Sequence, residues 1–261
     1  MNVSIRIAVV ILGLLAPGVV RADHDHGGMA AMATEEVASK FSAGVGLVAA
    51  RYDTNTYGGD YQGFVPGFTW MRGRFGAMAS LGVYRLTENG AERYGVGDAM
   101  VSGHVMLVEH GATMAGVALP VSLPSGDHLT GFGMGHVMLM PSAWGSTELG
   151  TIRFGASLGY SRALGAGATH HDHGSWPLID PMNMEEISWS ASANVPLGRV
   201  IRAGVRMAGG VALGDMGHTR VTGGVRATWT EGQVETGFEI QAGFAGDPFI
   251  LRGLLESAVH F

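Results

Sequence analysis

Alternation with a period of two residues runs through long stretches of the chain. In 187–195, Ile187, Trp189, Ala191, Ala193 and Val195 share one face, and Ser188, Ser190, Ser192 and Asn194 share the other. In 152–161, Ile152, Phe154, Ala156, Leu158 and Tyr160 oppose Arg153, Gly155, Ser157, Gly159 and Ser161. The segments 201–213 and 234–244 alternate in the same way. Successive side chains of a strand point to opposite faces, so each segment reads as a strand with one apolar and one polar face. Twelve strands are expected, at roughly 42–53, 61–71, 74–86, 94–109, 112–123, 134–146, 149–162, 186–196, 199–214, 218–230, 233–245 and 249–261. Most exceed the ~5–6 residues usual in soluble proteins and suit the ~9–11 that cross a bilayer at a tilt.

The connections alternate as well. Tight links are expected at Arg72-Gly73-Arg74, His110-Gly111-Ala112, Thr147-Glu148, Leu197-Gly198-Arg199 and Glu231-Gly232-Gln233, and mostly longer ones at 54–60, 87–93, 124–133, 163–185, 215–217 and 246–248. Short turns at one end and longer loops at the other are the layout of an outer-membrane barrel. An even strand count puts both termini at the short-turn, periplasmic end. Lipid offers the backbone no hydrogen-bond partner, which favours a closed barrel. The expected fold is therefore all-β, a transmembrane antiparallel up-and-down barrel over 42–261.

Composition narrows the alternatives. Glycine is 43 of 261 residues, charged residues are 15%, hydrophobic residues are 46%, and there is no cysteine. A disulfide scaffold and a thiolate metal site are excluded. The glycines have no three-residue period, so the chain is not collagen-like. The apolar content argues against disorder. The formal charge of −6 and the scattered arginines disfavour a nucleic-acid partner. Residues 1–22 read as a cleaved signal peptide: Arg6 precedes the short apolar core Ile7–Ala16, and Val20-Arg21-Ala22 is a small-residue cleavage site. Residues 23–41 then form a flexible segment rich in His and Met, on the periplasmic side.

The chain ends on Phe261, with Val259, Leu255 and Leu251 on the same face. This resembles the terminal-aromatic signal by which the barrel-assembly machinery recognises its clients. A soluble sandwich or lipocalin-like barrel would instead carry a polar outer face. Further resemblance lies in 97–144: Gly97-Asp98-Ala99-Met100 opens a strand, Leu119-Pro120-Val121-Ser122-Leu123-Pro124-Ser125-Gly126-Asp127 follows, and then Gly131-Phe132-Gly133-Met134-Gly135. This order resembles outer-membrane transporters of the meta-pathway phenol-degradation type. The resemblance implies a barrel that passes small organic molecules; its Gly/Pro motifs speak to architecture rather than to substrate.

Methionine and histidine are the one chemical signal. Asp23-His24-Asp25-His26-Gly27-Gly28-Met29, with Met32 nearby, offers nitrogen and oxygen donors beside soft thioethers. His170, His171 and His173 cluster in the 163–185 loop. Both groups are candidate ligands for copper or another transition metal, and both read equally as polar tail and loop. Strand parity places Met71, Met78, Met100, Met106, Met114, Met138 and Met140 inward, with His104 and His136. Met207 points outward. That wall is either soft filler or a path for a soft metal. The opposite wall carries Arg202, Arg206, Arg226, Glu235, Glu239, Arg252 and Glu256, joined by Arg153 and Asp98. It is either a bracing ion-pair network or a selectivity strip.

Gly155-Ala156-Ser157-Leu158-Gly159 has the G-x-S-x-G spacing of serine hydrolases, but it falls in mid-strand, whereas that nucleophile needs a strand-to-helix turn. No enzymatic function is expected. The leading expectation is an outer-membrane channel or transporter for a small solute. The alternatives are a copper- or transition-metal-handling barrel and a closed structural barrel.

Overall fold

The computed structural model describes residues 40–53, 58–165, 179, 182–213 and 218–261. The leader, the tail ligands His24, His26, Met29 and Met32, and the loop ligands His170, His171 and His173 lie outside the described residues. Of the expected 23–41 segment, Lys40 and Phe41 are described, and they already belong to the first strand.

The strands are β1 (Lys40–Asp53), β2 (Gly58–Arg72), β3 (Phe75–Ser80), β4 (Val83–Glu88), β5 (Ala91–Val96), β6 (Ala99–His110), β7 (Thr113–Leu123), β8 (Val137–Leu139), β9 (Ser142–Leu149), β10 (Ile152–Leu164), β11 (Glu185–Pro196), β12 (Ile201–Ala212), β13 (Arg220–Glu231), β14 (Val234–Ala245) and β15 (Phe249–His260). All pairings are antiparallel, and β1 pairs with both β2 and β15, so the sheet closes on itself. The pairs β3/β4, β5/β6 and β8/β9 are each one barrel stave interrupted once. Both β3 and β4 lie against β2, and both β8 and β9 lie between β7 and β10. Among the described residues the fifteen strands therefore make twelve staves.

Two of the interruptions have a cause in the neighbouring stave. Pro66 in β2 faces the gap between β3 and β4, where the Leu81 N–H reaches back to the Pro66 carbonyl at 3.3 Å. Pro120 in β7 faces the gap between β8 and β9, which itself contains Pro141, and Met140 N–H donates to the Pro120 carbonyl at 3.0 Å. Proline cannot donate to a ladder, so each breaks the rungs of the stave beside it.

Two expected connections are corrected. The loop expected at 87–93 is a tight hairpin between β4 and β5. Asn89 and Gly90 both have positive φ, +48° and +87°, the turn that matches strand twist. The turn expected at Thr147-Glu148 falls instead at Gly150-Thr151, where Gly150 supplies the positive φ. With the turns at Gly73, Gly111, Gly198 and Gly232, it defines the short-turn end. A single short 3-10 turn, His128–Thr130, sits in the 124–136 connection, capped by Asp127, which accepts from the Leu129 N–H.

Parity sorts the two faces. Outside lie Leu47, Phe64, Phe68, Val117, Leu119, Leu158, Val205, Met207, Val225, Phe238, Ile240, Leu251 and Leu255, all exposed. Inside lie Ser42, Val48, Tyr52, Tyr61, Val65, Ser102, His104, Met138, Arg206, Glu239 and Arg252, all buried. A continuous apolar outer belt around a mixed, buried interior is the reverse of a soluble barrel and matches a bilayer-facing wall. Val205 sits near the middle of β12 and is 55% exposed. Val205→Arg is expected to destabilise the lipid-embedded barrel by ~2–4 kcal/mol and Val205→Leu by little, read from denaturant unfolding in liposomes.

Candidate lumen site

The end of the lumen opposite the short turns holds an aromatic cluster. Tyr61 meets Phe249 and Tyr84 edge-on, with ring centroids 5.5 and 6.2 Å apart, and Tyr52 lies 6.4 Å from Phe249. Such pairs contribute ~0.5–1.5 kcal/mol beyond area burial. Tyr52 Oη donates to the Thr87 carbonyl at 2.5 Å. The Tyr84 ring lies against Gly63, Gly82 and Gly97, where a Cβ would collide with it. Phe132, from the 124–136 connection, joins this cluster and rests on Gly95. Ile179 joins it too, its N–H donating to the Gly131 carbonyl at 3.1 Å. The 124–136 segment is thus an inward plug.

Asp98, in the gap between β5 and β6, pins that plug. Its carboxylate accepts from the N–H of Gly126 at 2.9 Å and of Met134 at 2.7 Å. Ser125 Oγ donates to the Gly97 carbonyl at 3.0 Å and accepts from the Ala99 N–H at 2.8 Å. Gly133 packs so close to Asp98 that a side chain there would strike the carboxylate. The scattered turn motifs of 97–135 therefore meet at one latch. Hydrogen bonds from backbone N–H to a carboxylate are roughly twice as strong as neutral ones.

One side of the lumen is polar. Arg206 and Glu239, each 4% exposed at the side chain, lie 3.6 Å apart. Gln241 Nε2 donates to Glu239 at 2.7 Å, and Arg252 Nε donates to Gln241 Oε1 at 2.9 Å while lying over the Phe249 ring at 5.2 Å. Arg226 stands opposite Glu239 in the β13–β14 register, and Glu256 is buried nearby on β15. Nearer the plug, Arg220 pairs with the buried Glu186 at 3.0 Å, and Asn183 donates to Glu186 at 2.6 Å. At the short-turn end, Arg153 and Arg202 reach Glu148 at 2.7 and 3.5 Å. Glu235 lies at that end of β14, half-buried. A cavity of about 60 Å³ lies against this side, bordered by Ser157, Ser188, Ser190, Arg206, Arg220, Thr222, Asp247 and Arg252. It has room for a few waters or a small polar group.

The other side is a methionine ladder. Strand registers align Met71 with Gly76 and His104, Met78 with Ser102, and Met100 with Ser80 and Ser122. Met138 stands opposite Ser122, and Met106 opposite Gly116. Met140 sits beside Pro120, and Met114 opposite Ser146. From the short-turn end upward, successive rungs therefore carry Met114, Met106, Met71 with His104, Met78 with Met140, and Met100 with Met138. Met106, Met114, Met138, Met140, His104 and His136 are buried. Met106, Met114, Ala118 and Trp144 form a packed cluster of their own. Met207 is 47% exposed on the outer face.

Sequence reasoning missed the aromatic plug, the latch role of Asp98, the Arg220–Glu186 pair and Asp247. For the latch the signal was present: an acid and three small-residue turns within forty residues. Ser157 hydrogen-bonds Ser190 Oγ at 2.7 Å in mid-strand, away from any strand-to-helix turn. Among the described residues no group of three His, Cys, Asp or Glu could hold a metal ion.

These features define a class by fold, the transmembrane antiparallel β-barrel of twelve staves. No protein-family model matches the sequence, and no curated protein is similar to it. Among solved structures, the translocator domain of the autotransporter NalP from Neisseria meningitidis is similar, with a TM-score of 0.53 at 12% identity, over 89% of this chain and 92% of that one. Looser matches include Salmonella typhi OmpF in complex with daunomycin, with a TM-score of 0.41 at 7% identity, over 85% of this chain and 97% of that one. Another is Pseudomonas aeruginosa OpdK with vanillate, with a TM-score of 0.39 at 9% identity, over 85% of this chain and 98% of that one. The first of these agrees with the barrel architecture. The resemblance of 97–144 to the phenol-degradation-type transporters rests on those residues alone.

Asp98→Ala removes both acceptors of the latch. Hydrogen exchange at the Gly126 and Met134 amides is expected to rise by at least tenfold, with the β14 and β15 amides unchanged; equal protection would show that the plug is held by its aromatic packing alone. Arg206→Met removes one cation from beside the buried Glu239, which keeps its Gln241 partner, and is expected to lower the unfolding free energy by about 1–3 kcal/mol, read from denaturant unfolding in liposomes.

Proposed function

We propose that the protein is an outer-membrane channel that passes a small polar or charged organic solute along the β10–β15 side of its lumen. The observation that carries this reading is the cavity beside Arg206, Arg220 and Arg252, a space in the lumen lined by both polar and apolar groups. The apolar outer belt supports a bilayer location, and the similarity to the NalP translocator barrel supports the outer membrane of a Gram-negative bacterium. Outer-membrane lipid is then the first partner. Phe261, exposed beside the β1–β15 seam, is the element offered to the barrel-assembly machinery. The arginines, each next to an acid or amide, form a strip that selects by charge rather than by size alone. The 124–136 plug sets access from the loop end, and its latch makes opening a discrete event.

The second reading is a closed structural barrel, favoured by the plug and by how little of the lumen wall is exposed. Planar-bilayer recordings separate the two. The channel reading expects small, infrequent openings in the parent chain, and severalfold more frequent ones in Asp98→Ala and Phe132→Ala. Silence in all three, together with no solute entry in liposome-swelling assays, would establish the closed barrel.

A further inference from the structure

We infer that the outer rim of β1–β3, at the short-turn end, docks the phosphodiester headgroup of an anionic phospholipid through Arg72 and Arg74. Three observations converge there. First, this part of the rim carries a local excess of positive charge. Arg72 and Arg74 flank Gly73 in the β2–β3 turn, and both are exposed. Lys40 stands beside them, opposite Met71 in the β1–β2 register. Among the described residues, Lys40, Arg72 and Arg74 form no ion pair. Elsewhere on this rim the turns bring acids. Glu109 precedes Gly111, and Glu148 precedes Gly150 and pairs with Arg153. Arg199 shares its side of the rim with Glu231, where the Thr230 N–H donates to the Val200 carbonyl.

Second, the outer wall next to these cations is aromatic. Trp70 lies two residues along β2 from Arg72, or ~7 Å, and Phe68 two residues beyond it. Phe41 stands opposite Trp70, and Phe75 opposite Arg72. The Phe41 and Phe68 rings lie 5.7 Å apart, and Phe41, Phe68 and Phe75 are all exposed on the lipid-facing side. Aromatic rings collect where acyl chains meet headgroups, so the arginines, one rung farther out, stand at the depth of the lipid phosphates. Third, the chemistry matches. A phosphodiester presents two non-bridging oxygens and one negative charge, which a guanidinium meets with paired N–H donors. A choline or ethanolamine headgroup adds a cation of its own, which three basic side chains repel. The patch therefore selects an anionic headgroup over a zwitterionic one.

The inference rests on the bilayer location and is independent of conduction. The full mature chain is first folded into phosphatidylcholine liposomes and checked by the heat-dependent gel shift of a folded barrel. Failure at that step would overturn the bilayer reading, and the site with it. The folded chain is then moved to detergent micelles holding equal phosphatidylglycerol and phosphatidylcholine, and native mass spectrometry counts the lipids each barrel retains. The parent is expected to retain phosphatidylglycerol in preference. Arg72→Gln and Arg74→Gln are each expected to lower that preference roughly fivefold, the scale for one basic side chain at an anionic membrane surface. Arg51→Gln, which removes the same charge from an exposed position at the other end of β1, is expected to leave it unchanged. Arg72→Lys is expected to restore part of it. Equal retention of the two lipids by the parent would overturn the site. So would an equal loss in Arg51→Gln, which would make the effect one of net charge. Retention of lipid A in place of phosphatidylglycerol, when both are offered, would overturn the assignment to a phospholipid.

Discussion

Closure of the hydrogen-bond ladder between β1 and β15 is the constraint on which the rest of this structure depends. Ser42 to Arg51 pair in unbroken register with His260 to Leu251, and Phe41 and Phe261 exchange both backbone bonds beyond them. An open edge facing lipid would strand a row of N–H and C=O groups with no partner, at several kcal/mol each. Closure removes that cost and brings the two ends of the described chain to one end of the barrel. It also leaves every stave central, with no edge on which to place a proline. Pro66 and Pro120 therefore act on their neighbours, and the broken staves are where the wall absorbs the missing rungs.

A closed wall of twelve staves then has to be filled. The fill is asymmetric. On one side, serines and glycines on β10–β13 leave room for long charged side chains, and these survive burial because each meets an acid, an amide or an aromatic face. An unpaired charge at this depth would be prohibitive, so the network and the small residues around it are one device. On the other side, methionines fill the irregular space without polar demands. His104 is the exception within that soft wall, a polar ring held where only sulfur is offered.

The loop end is packed by different physics. Tyr52, Tyr61, Tyr84, Phe132 and Phe249 bury large faces against one another, and three glycines flatten the wall behind Tyr84. The plug is carried by a segment with little regular structure, so its backbone needs outside partners. Asp98 supplies two, and Ser125 in return bonds the Gly97 carbonyl and the Ala99 N–H. The turn-like motifs of 97–135 owe their residue types to that requirement. Gly126 and Gly133 allow the close approach, and the aspartate accepts what no strand neighbour can.

Much of the barrel was readable in the residues. The parity of Ile187 to Val195 or Arg202 to Arg206 shows which side chains face out, and segment length separates a membrane stave from a soluble strand. The gaps at 81–82 and 140–141 were harder, because their cause sits in a different strand, at Pro66 and Pro120. The hairpin at Asn89-Gly90 carried its own turn signature, and the polar residues around it read as a longer loop. By itself, then, the sequence determined faces, stave number and the chemical character of each wall, because side chains alternate strictly along a strand. Only the tertiary structure decided which rungs coincide. Alternation is blind to the offset between strands, and that offset is set by turn geometry, by proline-broken pairing and by the shear needed for closure. It brings Met71 to His104 across 33 residues and Asp98 to Met134 across 36, and it aligns Arg206 with Glu239. Those meetings make the candidate site.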